Sequence, residues 1–189
     1  MSTLINATDD VNQRIIWIDC EMTGLDFMKQ TLCEIAIIVT DSDLKTVAMG
    51  PDIVIHQPKE VLDKMEEWPR KTFLENGLMS KIVNSSISLE QAEEKVLEFL
   101  KLHTLPGKCP IAGNSIHMDR CFIRKYMPKL DEYAHYRCID VSSIKGLVQR
   151  WYPDYQHISK KNTHRALDDI LESIAELKNY RENIFVKTQ

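Results

Sequence analysis

Asp19 and Glu21 stand two residues apart at the end of a hydrophobic run, Ile15-Ile16-Trp17-Ile18. Strand side chains alternate between faces, so these two carboxylates share one face and Cys20 turns to the other. Two like charges a few ångströms apart oppose each other's ionisation unless something positive lies between them. A divalent cation meets that need, and carboxylate oxygens suit the hard ions Mg2+ and Mn2+. The plainer alternative is a solvated strand terminus whose two acids belong to a turn.

Two other places carry matching chemistry. Asp119 follows an apolar stretch and the loop Gly113-Asn114-Ser115, and His164, Asp168 and Asp169 open the last helical pattern. Each has an ordinary explanation by itself. An acid in a first helical turn is favoured by the helix dipole, Thr163 suits a helix N-cap, and an isolated histidine at a helix start is commonly a surface residue. Helical periodicity does not choose between Asp168 and Asp169, which flank the stripe Leu167, Ile170, Leu171 and Ile174 at similar angles. As a set, however, four carboxylates can hold two divalent cations around one phosphate. One ion then carries an attacking water, and the other stabilises a leaving 3′-oxygen. Imidazole titrates near neutrality and can take the water's proton. Phosphodiester hydrolysis of this type needs no covalent nucleophile.

These residues need strands that end together and helices that start beside them. A first strand is predicted over about 14–21, a second over Glu34–Thr40, and a third over Thr46–Gln57 with a break at Gly50-Pro51. Short loops between them imply an antiparallel meander. An irregular helical stretch follows, which Pro69 ends or kinks after Trp68. Ser88 with Gln91 forms a capping box for a clearer helix. Cys109–Asn114 reads as a buried strand, then come a helix over about 118–126 stopped by Pro128 and a strand at Arg137–Val141. A helix over about 143–151, a polar loop and a last helix over about 164–182 complete the chain. The order β-β-β-α-β-α-β-α implies an α/β fold: a mixed five-stranded sheet, three strands antiparallel and then α/β crossovers, with helices on both faces.

Length and composition bound the rest. The 189 residues suit one domain, read here as a mobile segment 1–13, a folded unit 14–185 and a tail 186–189. A composition 43% hydrophobic and 28% charged is ordinary for a globular protein. No apolar run approaches the roughly 18 residues of a membrane span, so no membrane partner is expected. Five cysteines without a Cys-x-x-Cys pair read as reduced thiols in an intracellular compartment. Residues 1–13 lack the pattern of a secretory or mitochondrial leader, which places the chain in the cytoplasm and leaves a mitochondrial pool to a longer form. The net charge of −4 disfavours a protein that coats long nucleic acid, but not one that grips a small anion locally.

Asp19-x-Glu21, Asn114 with Asp119, and His164-Arg165-Ala166-Leu167-Asp168-Asp169 resemble the three motifs of the DEDDh 3′→5′ exonucleases. The resemblance implies an RNase H-like fold. It also selects His164 as general base and Asp19, Glu21, Asp119 and Asp169 as ligands of two Mg2+ or Mn2+ ions. Met118 stands where the broader family often has an aromatic residue, which sets the chain apart from proofreading subunits. The longer words Trp17–Leu25, Gly113–Ile116, Lys125–Pro128 and His135–Arg137, with the last helix through Glu182, resemble the oligoribonucleases over residues 14–185. That likeness implies a homodimeric enzyme, without an organic cofactor, that cleaves short RNA oligonucleotides, dinucleotides above all, to mononucleotides. By the same likeness Leu25 is a wedge between two bases and Trp68 a wall beside them. Ser115, Arg137 and Ser142 would cap a 5′-phosphate, with Lys145 as a further donor, and Tyr136 would reach the neighbouring subunit's site. Exonucleases of longer RNA or DNA, and a catalytically dead binding protein on the same fold, are the competing readings.

Asp169→Ala is expected to abolish hydrolysis of a dinucleotide under Mg2+ with the circular dichroism spectrum unchanged, whereas Asp168→Ala retains activity. The opposite pattern in the same assay would place the motif one residue out of register.

Overall fold

The computed structural model describes residues 10–159 and 164–185. The expectations for residues 1–9, for Thr163 as a cap, for the end of the polar loop and for the tail 186–189 lie outside the described residues. Val11–Gln13 form a 3-10 turn in which Asp10 accepts from the Asn12 amide.

The strands are β1 (Ile15–Met22), β2 (Leu32–Thr40), β3 (Thr46–Val54), β4 (Pro110–Gly113) and β5 (His135–Asp140). They form one mixed sheet, as the alternation of elements predicts, and its strand order is β3-β2-β1-β4-β5. β1 pairs antiparallel with β2 and parallel with β4, and the parallel run continues into β5. In open sheets of this kind the space beyond the carboxyl ends of the parallel strands is the natural place for a site. Gly113 is required there by close approach, since a Cβ would meet the Ile18 carbonyl oxygen at 2.8 Å.

Both faces of the sheet are covered, because β1 and β2 are apolar on both sides. Ile16, Ile18, Cys20, Ile35 and Ile37 pack against α4 (Leu89–His103), α5 (Ile116–Tyr126) and α6 (Pro128–Tyr133). Ile15, Trp17, Ala36 and Ile38 pack against α7 (Val141–Trp151) and α8 (Ala166–Asn183). The capping box of Ser88 and Gln91 starts α4 as expected. A smaller cluster, Cys33 with Leu62, Met65, Phe73, Leu78 and Ile82, joins α1 (Lys59–Leu62), α2 (Glu67–Glu75) and α3 (Leu78–Asn84) to the start of β2.

The elements differ from expectation where proline was read as a stop. Pro69 lies inside the first turn of α2, where its missing N–H has no intrahelical partner to lose. Pro128 does follow the end of α5, as expected, but it also begins α6, a helix that was not expected. Gly50-Pro51 does not break β3. The pairing jumps from Ala36–Asp52 to Ile38–Met49, and this bulge on the edge strand accommodates the proline. α8 begins at Ala166, two residues later than expected, because His164 adopts φ 51°, outside the helical region.

Among the described residues no helix is long and apolar enough to cross a membrane. Trp17, fully buried, donates its indole N–H to Thr40 Oγ1 at 2.9 Å. Thr40→Val should therefore leave that donor without a partner at nearly constant volume, costing about 1–3 kcal/mol. Chemical denaturation is expected to show this loss with activity per folded molecule unchanged.

Candidate active site

The side chains of Asp19 and Glu21 point from the end of β1 to the face covered by α8, whose first turn carries Asp169. Oxygens from these three carboxylates all lie within 4.8 Å of one another. Asp169 therefore faces the pair on β1, while Asp168 is exposed. Asp119 reaches the same place from the first turn of α5. It is buried, and its Oδ1 accepts the Cys20 backbone N–H at 3.0 Å, so it stands beside the three-carboxylate cluster and outside it. All four acids line one cavity of about 360 Å³, together with Leu25, Glu66, Trp68, Asn114, Ser115 and His164.

Burial and mutual repulsion dominate the electrostatics. Burial, then the charges of Asp119, Glu21 and Asp169, hold the Asp19 carboxyl well above the ordinary carboxylate range. Burial, then Asp169, Glu34 and Asp119, push Glu21 up to about 9, against the opposing pull of Arg165. Burial also raises Asp119, opposed by backbone hydrogen bonds to its carboxylate. Hard, all-oxygen donors that resist ionisation together are a good fit for a divalent cation, and a poor fit for softer metals.

The scaffold around this cluster includes residues with no motif to announce them. Glu34, on β2 directly opposite Glu21, is fully buried. It accepts from Arg165 Nε at 3.1 Å, from Arg165 Nη2, and from the Ala166 amide at 3.2 Å, which pins the start of α8 to the sheet. One charged residue in an otherwise apolar strand was the available signal. Glu66 lies against Gly24, where a Cβ would meet its carboxyl carbon at 2.4 Å, and its Oε1 accepts from the Leu25 amide at 3.3 Å. Only glycine at position 24 permits that contact. Two of the three non-glycine residues with positive φ among the described residues, Ser115 and His164, line the cavity, where backbone strain commonly collects.

The remaining expected residues divide into two groups. Leu25 and Trp68 are 63% and 61% exposed on the cavity rim, so neither serves the core. The Trp68 ring meets the His164 ring edge-on, with centroids 5.0 Å apart. Ser115 Oγ lies 3.2 Å from Ser142 Oγ, and both backbone amides donate to Asp140 Oδ1, at 3.0 and 2.9 Å. Arg137 and Tyr136 do not line the cavity. They lie on exposed β5, the guanidinium 5.3 Å from the tyrosine ring centre. Lys145 pairs with buried Glu176 at 3.7 Å, and Glu176 also accepts from Asn114 Nδ2 at 3.2 Å.

A family profile described as "Exonuclease" (RNase_T) matches residues 16–177. The chain is 76% identical over 188 residues to a protein of Caenorhabditis elegans named "Probable oligoribonuclease", covering all of this chain and 97% of that one. It is 48% identical over 188 residues to the mouse protein "Oligoribonuclease, mitochondrial", covering 98% of this chain and 79% of that one. Among solved structures, exonuclease I of Methylocaldum szegediense superposes with a TM-score of 0.70 at 17% identity. The match covers 90% of this chain and 41% of that longer chain, and it shares the RNase H-like fold.

The raised acids fix the sign of a pH effect. The folded protein keeps protons that the unfolded chain releases, so Glu21 contributes full stability below its ordinary value of 4.5 and loses it as pH climbs toward about 9. Metal-depleted protein should therefore melt at progressively lower temperature over that window. Added Mg2+ should raise the melting temperature more at about pH 8 than at about pH 5, since the cation binds the deprotonated acids. Asp19→Asn is expected to stabilise the metal-depleted form by about 1 kcal/mol, or about 2–4 °C for a chain of this size, and to blunt the response to Mg2+. Thermal melts in chelator and in Mg2+ check both outcomes.

Proposed function

The chain belongs to the oligoribonuclease family of the DEDDh exonucleases, a family of hydrolytic nucleases, and from that premise we propose that it is a 3′→5′ exoribonuclease that cleaves short oligoribonucleotides, dinucleotides above all, to 5′-mononucleotides. The observation that carries this reading is the convergence of Asp19, Glu21 and Asp169 within 4.8 Å, beside Asp119 and His164, in one cavity.

Asp19, Glu21, Asp119 and Asp169 are the residues that would hold two divalent cations, Mg2+ or Mn2+, which when bound supply charge neutralisation at the scissile phosphate and an acidified water. The other steps belong to the protein. His164 takes the proton of the attacking water on an imidazole nitrogen as the new P–O bond forms and the P–O3′ bond breaks. Leu25 and Trp68 present apolar surface on the rim, one to wedge between two bases and one to wall them. Ser115 and Ser142 set two hydroxyls side by side to receive a 5′-phosphate. Arg137 adds a planar donor to the same phosphate once it turns off Tyr136. The net charge of −4 agrees with this local grip, because an extended strand would need a basic groove. A cavity of about 360 Å³ is also in the range of pockets that enclose small ligands, about 300–1,000 Å³. We further propose a homodimer in which exposed Tyr136 reaches the partner's cavity.

The test compares a 5′-phosphorylated dinucleotide with a 20-mer under Mg2+. The dinucleotide should be turned over at least about tenfold faster, on the scale of one lost bidentate phosphate contact, and equal rates would sink the short-substrate reading. His164→Ala should lower kcat by about 10²–10⁴-fold, the usual contribution of a general base, while Mn2+ affinity stays unchanged. An unaltered turnover would remove His164 from the chemistry.

A further inference from the structure

His164 is held in an unusual way. It sits at φ 51°, ahead of the first residue of α8 and outside the helical region. Its carbonyl oxygen accepts from Asn76 Nδ2 at 2.8 Å, across 88 positions of chain. Asn76 is the C-cap residue of α2, and its backbone N–H donates to the Thr72 carbonyl at 2.9 Å. The orientation of its amide is set at both ends. Oδ1 accepts the Leu78 amide at 3.0 Å, and only an acceptor can face that N–H. Nδ2 must then face the His164 carbonyl, and only a donor can serve there. The same helix places Trp68 against the His164 ring. On the other side, Glu34 fixes Arg165 and Ala166.

We propose that Asn76 is a positioning residue for hydrolysis: through its hydrogen bond to the His164 carbonyl it holds that residue in the left-handed conformation that aims the imidazole into the cavity. This inference rests on His164 acting as the base. A left-handed non-glycine residue costs of order 1–3 kcal/mol and persists only when its surroundings impose it. Without the amide donor, His164 relaxes toward ordinary φ and its ring leaves the reacting geometry. Ground-state binding of substrate, which Leu25, Trp68 and the hydroxyls of Ser115 and Ser142 provide, does not depend on that bond.

Asn76→Asp is the sharpest variant, because a carboxylate still accepts from Leu78 but cannot donate to His164. On a 5′-phosphorylated dinucleotide under Mg2+, kcat is expected to fall about tenfold or more, as small misplacements of a reacting group do. KM should stay within about twofold of wild type, since binding and positioning separate in this way. Asn76→Ala should behave alike. Both variants are then combined with His164→Ala, and here the residual rate should show no further loss. A drop of equal size in the His164→Ala background would overturn the proposal, because Asn76 would then act on the site by another route. An unchanged kcat in both single variants would overturn it, as would failure of both to fold, which would make Asn76 part of the scaffold. If His164→Ala itself kept full turnover, the base assignment would fail instead, and a loss in Asn76→Asp would then report on something other than His164.

Discussion

Carboxyl groups that repel one another have to be held where none of them can retreat. Burial raises the protonation of Asp19 and Glu21 far beyond that of acids in water, so the folded chain bears a cost that only rigid surroundings can sustain. β1 is suited to this, because it is hydrogen-bonded on both sides, to β2 and to β4, and packed on both faces. The ion pair of Glu34 and Arg165 completes the constraint. A buried pair of this kind is weak evidence for net stability, yet here it ties the strand opposite Glu21 to the turn that carries His164 and Asp169. It also places a guanidinium that moderates the charge on Glu21.

Much of the fold was legible because its signals are local. The apolar run Ile15–Ile18 foretold the strand, the alternation of side chains along a strand foretold the shared face of Asp19 and Glu21, and the capping box at Ser88 foretold the start of α4. Punctuation was the weak point. Proline at 69 and 128 can open a helix as readily as close one, and the bulge at Gly50-Pro51 depends on β3 being an edge strand, which only the assembled sheet decides.

The site was legible in part for a different reason. Carboxylates at motif spacing are visible in one dimension, whereas periodicity left Asp168 and Asp169 equivalent until the approach of α8 to β1 brought Asp169 alone to the pair on β1. Glu34, Glu66 and Asn76 act through hydrogen bonds that cross 131–132, 41 and 88 positions of chain, a range at which no spacing rule operates. Arg137 and Tyr136 stand apart from the cavity on exposed β5, and the geometry of one chain does not bring them to it.

The cluster beneath α1, α2 and α3 has a consequence for the order in which the protein breathes. It is small, and it meets the sheet through Cys33 and Val54, while α8 and β1 belong to the larger cores. Segments with few apolar contacts open at lower free energy than the global fold. Trp68, Asn76 and the rim they build would therefore loosen as one unit while the acidic cluster stays closed. Such a division sets a firm acidic floor beneath a wall that yields first, so the cavity can open past α2 without disturbing the carboxylates.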